Sequence, residues 1–155
     1  MVYQRIVQLL ERSGAAFQVH AHPCVTTIEE ARRKVPHLTH NLLKTVVFRI
    51  KDANWILAAV SGSDRIHYKK LADALAVKRT QLRSIAPDQV ESELGFDVGG
   101  VGPFPVREDI HVVFDSKVAR LGRVFCGSGK NTQTVEIEIT DLIEITSGRV
   151  YPISK

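Results

Sequence analysis

The sequence predicts an α+β fold: a mixed β-sheet or small barrel with helices packed outside it. Three observations predict this class. Helical segments are inserted between strand pairs, strands dominate the chain after Gly95, and strand and helix do not alternate regularly enough for a doubly wound sheet. The 155 residues fit one domain covering 1–155, long enough to bury roughly 70% of its unfolded surface. Hydrophobic content of 44% and charged content of 25% are globular values that argue against a disordered chain.

The elements follow in order. A first helix is expected over residues 3–13, where Ile6, Leu9 and Leu10 share one face and Gly14 stops it. "AFQVH" reads as a short strand. "TTIEEARRKV" reads as a second helix, capped by Thr26 or Thr27, with Glu29 and Glu30 in the first turn where the helix dipole favours anions. "KTVVFRI" and "WILAAV" are apolar strands joined by the turn-like "KDAN", a hairpin. "HYKKLADALAV" and "PDQVESELG" are helices, the latter with Pro87 near its start and Gly95 at its end. "IHVVF", "RVFC", "TVEIEI" and "DLIEIT" read as strands. In the third of these Val135, Ile137 and Ile139 alternate with Glu136 and Glu138, which gives one wet face.

Composition narrows the partners. No apolar run approaches the ~18 residues of a membrane span, and "MVYQRIVQLLERSG" carries Glu11 and Arg12, unlike a signal peptide. Two cysteines, Cys24 and Cys126, are too few for a disulfide framework and point to a reduced, cytoplasmic setting. A net charge of +4 leans mildly towards an anionic partner. There is no basic tail, so folding must build any basic surface. Its candidates are Arg32, Arg33 and Lys34, then Lys69 and Lys70, then Lys130; each helical group equally fits a solvated helix face.

The common catalytic signatures are absent. No serine stands in a Gly-x-Ser-x-Gly elbow. "CGSGKNT" is not a nucleotide-binding loop, since Asn131 follows Lys130 and no glycine stands five residues before Gly129. In "HAHPC", His20, His22 and Cys24 alternate, which suits either a metal or ordinary strand-end residues; Pro23 interrupts the ladder. Cys24 has no visible activating base.

Two glycine-rich loops remain. "GFDVGGVGPFP" holds Gly95, Gly99, Gly100, Gly102, Pro103 and Pro105, and can bring bare backbone N–H groups against a ligand or simply join helix to strand. "CGSGKN" is either a tight turn or a phosphate-contacting loop through Lys130. Lys44, directly before an apolar run, is either an exposed strand-start lysine or a cation aimed into a pocket.

Taken together, "LLKTVVFRI", "GFDVGGVGPFP" and "GSGKNTQTVEIEITDLIEI" resemble the YbaK/prolyl-tRNA-synthetase-associated domains, which are aminoacyl-tRNA deacylases. The opening "LLERSGAAFQVHAHP" also looks like that family's first helix and strand. The resemblance runs over nearly the whole chain. It implies a compact mixed β-structure and a trans-editing activity that removes a small, wrongly attached amino acid from the 3′ end of tRNA. Such a second sieve is needed because one methylene is worth only about 1–3 kcal/mol of discrimination.

By position, Lys44 matches the family's essential lysine, which holds the substrate's 3′ end. Gly99, Gly100 and Pro103 match its Gly-x-x-x-Pro element, whose amides would stabilise an oxyanion. Val101, Gly102, Gly127, Ser128, Gly129, His22 and Thr134 fall in the implied substrate site, with Lys130, Arg32 and Arg33 as tRNA contacts. No metal, cofactor or protein nucleophile is implied; the attacking group is water or, in a cysteine-specific branch, the substrate's thiol. The implied partners are mischarged aminoacyl-tRNA and, beyond it, an aminoacyl-tRNA synthetase. His22 and Thr134 depart from the tyrosine and aspartate of the cysteine-specific branch. Specificity therefore does not transfer, and a non-catalytic tRNA- or synthetase-binding module of the same fold is the alternative.

Overall fold

A computed structural model describes residues 1–155. Its strands are β1 (Phe17–Ala21), β2 (Leu43–Ile50), β3 (Trp55–Ser61), β4 (Leu82–Ser84), β5 (Ile110–Asp115), β6 (Arg123–Gly127), β7 (Gln133–Glu138) and β8 (Arg149–Tyr151). Its α-helices are α1 (Val2–Ser13), α2 (Ile28–Lys34), α3 (Tyr68–Ala74), α4 (Pro87–Leu94) and α5 (Ile139–Thr146). A three-stranded antiparallel sheet has the order β1-β7-β6, and a five-stranded mixed sheet has the order β4-β2-β3-β5-β8. In the larger sheet β2 is antiparallel to β3 and β4, while β3–β5 and β5–β8 are parallel.

The mixed α+β reading holds, but the barrel alternative does not. Closure would need a continuous ladder between β2 and β6, and the link there is one isolated parallel bridge, from Leu42, just before β2, to Phe125. Two open sheets meet at that stitch and diverge beyond it.

Most elements stand where their chemistry puts them. Gly14 ends α1 and Gly95 ends α4, both with positive φ, 75° and 85°, that suit a left-handed C-cap. Thr27, not Thr26, caps α2, its hydroxyl accepting the Glu30 N–H at 3.0 Å. "DLIEIT" is the exception: it belongs to α5, not to a strand, and the "TVEIEI" strand stops at Glu138. The alternating pattern misleads because Ile139, Leu142 and Thr146 also recur at helical spacing, and this is the face α5 buries.

The main core lies between the sheets. Leu43, Val47, Leu57 and Phe114 of the larger sheet meet Val124, Val135 and Ile137 of the smaller, with Ile6 and Leu10 of α1 in the same buried cluster. The far face of the larger sheet packs Phe48, Ile56, Ala58 and Val60 against Leu71 and Ala72 of α3. A small satellite of Val25, Ala31, Val35 and Leu38 sits under α2. Asp115, 1% exposed, anchors the C-terminal segment: its Oδ1 accepts the N–H groups of Ile153 and Ser154 at 2.9 and 3.0 Å.

Candidate active site

A cleft of about 650 Å³ opens in the fork where β2 and β6 part. Its lining comes from Leu42 to Val47, from α2 and the segment before it, from both glycine-rich loops and from the Ile85–Pro87 corner. It therefore runs along one edge of β2. Ladder geometry explains why that edge is free. Gly62 donates to the Leu42 carbonyl at 2.8 Å and Ile50 to the Asn54 carbonyl at 3.0 Å, so the even-numbered residues of β2 bond towards β3. Odd-numbered residues turn their backbone groups the other way. There β4 pairs only Phe48, Arg49 and Ile50, and the Ile85 N–H reaches the Val47 carbonyl at 2.9 Å. The N–H and C=O of Thr45 meet no neighbouring strand.

Lys44, the second residue of that strand, also lines the cleft. It is opposite Val60 in the hairpin, so the chain leaving β3 returns beside it, and Nζ donates to the Asp64 carbonyl at 2.5 Å. Burial lowers the lysine's pKa from its ordinary value. The nearby Arg65 and Arg32 charges add to the shift and Asp64 opposes it. Three cations near one mouth repel one another, and an anionic group entering there relieves that repulsion.

The glycine loops line the same cleft and are pressed backbone to backbone. A Cβ on Gly102 would lie 2.0 Å from the Gly127 carbonyl oxygen, and one on Gly127 would lie 2.1 Å from that of Val101. The Gly129 N–H donates to Gly100 O at 2.7 Å, and the Asn131 side chain donates to Val98 O at 3.0 Å. Gly99, at φ +84°, leaves no room for a side chain beside Thr26, whose Cα a Cβ would approach to 2.4 Å.

Of the residues the sequence singles out, Lys44, His22, Gly99, Val101, Gly127, Lys130 and Thr134 line one cleft. Gly100, Gly102, Pro103, Ser128 and Gly129 are buried outside that lining and brace it. The Ser128 hydroxyl, for example, donates to the Gln133 carbonyl at 2.6 Å. Lys130 lies on the rim with Nζ 4.7 Å from the centre of the Tyr3 ring. Arg32 and Arg33 are exposed on α2 outside the lining, with Arg32 donating to Ser63 Oγ at 3.4 Å. Neither Lys34, Lys69 nor Lys70 lines the cleft; they are engaged with Glu30, Asp73 and the Ser154 carbonyl.

The histidines separate. His22 Nδ1 lies 2.8 Å from the Pro23 carbonyl, which only accepts, so Nδ1 carries the proton. In the neutral ring Nε2 then accepts from the Thr134 hydroxyl at 2.8 Å. His20 instead pairs with Glu136 at 2.7 Å, and Cys24 is exposed, so the three side chains of "HAHPC" do not converge. Cys126 lines the cleft but is fully buried, which pushes its thiol far above the ordinary range and keeps it protonated and inert.

Sequence reasoning misses Asp64, Arg65 and Thr45. Asp64 and Arg65 reach Lys44 only through the hairpin return. Thr45 looks like any β-branched strand residue, yet its hydroxyl is buried with no hydrogen-bond partner.

Comparison with known proteins accords with this architecture. A profile of the aminoacyl-tRNA editing domain matches residues 22–145. An uncharacterised Bacillus subtilis protein, YwhH, is 26% identical over 125 residues, covering 81% of this chain and 78% of its own length. The proline–tRNA ligase of Bacillus cytotoxicus is 27% identical over 120 residues; these cover 77% of this chain but 21% of the ligase. Among solved structures, the hypothetical protein APE2540 superposes with a TM-score of 0.86 at 18% identity, over 97% of this chain and 99% of that one. A protein proposed as a trans-editing enzyme for prolyl tRNA synthetase superposes with a TM-score of 0.81 at 23% identity, over 99% and 97%. With its profile match spanning most of its length, the chain belongs to the aminoacyl-tRNA editing domain family.

Proposed function

We propose that the protein is a trans-editing deacylase that hydrolyses the ester joining a small, wrongly attached amino acid to the 3′ end of tRNA. The observation that carries this reading is that Lys44 and the glycine-loop residues Gly99, Val101 and Gly127 line one cleft in a chain of the editing-domain family. Lys44, with Arg65 and Arg32 beside it, supplies positive charge for the terminal nucleotide's phosphate. The backbone N–H groups of Gly99 and Val101, the residues of that loop that line the cleft, supply the dipoles that a tetrahedral oxyanion needs. Water attacks the ester carbonyl, the C–O bond to the ribose breaks, and the ribose oxygen takes up a proton as the free amino acid leaves. Cys126, buried and protonated, is not the nucleophile.

The test is deacylation of a panel of mischarged tRNAs by the purified protein, with Lys44→Ala alongside. Release of at least one small amino acid, lost in the variant, is the expected result. Undiminished turnover by Lys44→Ala would remove the lysine from the mechanism. A non-catalytic tRNA- or synthetase-binding module is the second reading, motivated by the closed His22–Thr134 pair at the cleft. Salt-sensitive tRNA binding without any deacylation would select it.

A further inference from the structure

We propose that Tyr3 and Lys130 form a base-stacking platform at the rim of the cleft, which holds the nucleotide next to the terminal adenosine of a single-stranded tRNA 3′ end. The inference rests on the tRNA-end substrate named above and deepens it by giving the strand its path out of the cleft.

Charge marks the two ends of that path. Lys44 and Lys130 are the lysines that line the cleft, and no arginine or carboxylate joins them there. Lys44 is tied to the Asp64 carbonyl at 2.5 Å. The Lys130 ammonium enters no ion pair and rests instead on the Tyr3 ring, 4.7 Å from its centre.

The ring beneath it is built into place. The Tyr3 hydroxyl donates to Gln133 Oε1 at 2.5 Å, and Gln133 itself lines the cleft. The start of α1 can lie on this loop because Gly129 has no side chain. A Cβ there would stand 3.1 Å from the Tyr3 nitrogen and 3.3 Å from its Cα. Tyr3 is half-buried and Lys130 exposed, so the lysine covers a ring face that is bared when it moves. An exposed cation–π contact is weak and a lysine stem is flexible, so a phosphate can draw Lys130 off the ring. The bared face then takes a base, since every base has a π-face to stack. One residue pair thus supplies both the charge and the plane that an unpaired nucleotide needs.

The protein's other cation–aromatic pairs are closed to such a role. Arg79 lies 4.6 Å over Tyr68, which lines the cleft, but it also donates to the Leu82 carbonyl at 3.2 Å. The Phe48 ring packs edge-on against the same tyrosine. Arg49 and Trp55 lie outside the lining, and Trp55 is buried. Arg32 and Arg33 of α2 carry charge with no aromatic ring beneath it.

The test is a double-mutant cycle between protein and nucleic acid. The probe is a synthetic stem-loop with the single-stranded 3′ ACCA end of tRNA, and its partner lacks the base next to the terminal adenosine. Wild type is expected to bind the abasic probe about tenfold more weakly than the intact one, the scale of one stacked base. Tyr3→Leu should bind the intact probe about tenfold more weakly than wild type and lose nothing further on the abasic one. Lys130→Gln should lower the slope of log affinity against log salt by about 0.7, one phosphate contact on a single strand. Equal wild-type affinities for the two probes, additive losses in Tyr3→Leu, or no binding of the intact probe at low salt overturns the assignment. Tyr3→Trp gives a second reading should Tyr3→Leu fail to fold. Its added indole emission is expected to fall on binding the intact probe and to stay constant with the abasic one; the same response to both overturns the platform. Deacylation of mischarged tRNA is measured separately. If wild type hydrolyses none, the deacylase reading fails, while the binding cycle still decides Tyr3 and Lys130.

Discussion

β2 and β3 are the two arms of one hairpin, in register from Leu43 opposite Ser61 to Arg49 opposite Trp55, yet they have different fates. β3 is buried from Trp55 to Val60 and flanked on both edges, by β2 and by β5. Its backbone is consumed by the ladders on either side. β2 has β3 along one edge, while β4 covers the other only from Phe48 onward. Its first half therefore bounds the cleft and carries Lys44 and Thr45 into it. The lesson is that a strand paired on both edges is scaffold, and a strand released on one edge becomes a site.

The sharpest way to break this comparison is to damage each arm separately. Leu57→Ala removes a fully buried side chain from β3 and should cost about 3 kcal/mol of stability, with turnover per folded molecule nearly unchanged. Urea denaturation beside single-turnover deacylation reads both quantities; a large loss of specific activity would show that β3 does more than support. Lys44→Ala should do the reverse. We expect deacylation to fall about 100-fold, equivalent to about 2.7 kcal/mol of barrier, with a stability change within about 0.5 kcal/mol. A variant that unfolded would make Lys44 a structural residue.

Gly102→Ala probes the brace behind the cleft. The added Cβ meets the Gly127 carbonyl, backbone that cannot swing aside, so both loops must shift. A stability loss of about 1–3 kcal/mol and a roughly tenfold loss of activity are expected, read by thermal unfolding and the same deacylation assay. Wild-type behaviour would mean the two loops are independent.

The smallest effect concerns pH. Burial and the neighbouring arginines lower the Lys44 pKa below its ordinary 10.5, so the folded chain releases this proton more readily than the unfolded one. Between the lowered value and 10.5 the unfolded state binds more protons, and this residue's contribution makes stability rise with pH across that window. Lys44→Met should flatten that part of the profile by a few tenths of a kcal/mol, measured as urea midpoints in alkaline buffers. Glu136 gives a slope of the same sign in the acid range. Its hydrogen bonds from Arg123 and His20 lower its pKa from 4.5, so its stabilisation is present above that value and lost as pH falls through the lowered one. Glu136→Gln should destabilise the protein at neutral pH and have no effect once the carboxylate is protonated.

Much of this protein is legible in its sequence because the signals are local. Gly14, Gly95 and Thr27 mark helix ends through their own conformational or hydrogen-bonding preferences, and the β2–β3 hairpin follows from two apolar runs and a short polar turn. The glycine spacing before Pro103 and the lysine before "TVVFRI" are equally local, which is why they point to the family. What the chain could not declare alone depends on packing between distant segments. α5 alternates like a strand, and only burial of Ile139, Leu142 and Thr146 on one side makes it a helix. The divergence of β2 from β6 after one bridge opens the cleft instead of closing a barrel. That fork also leaves Thr45 without partners, because whether a strand's edge is paired is a property of its neighbours and never of the strand itself.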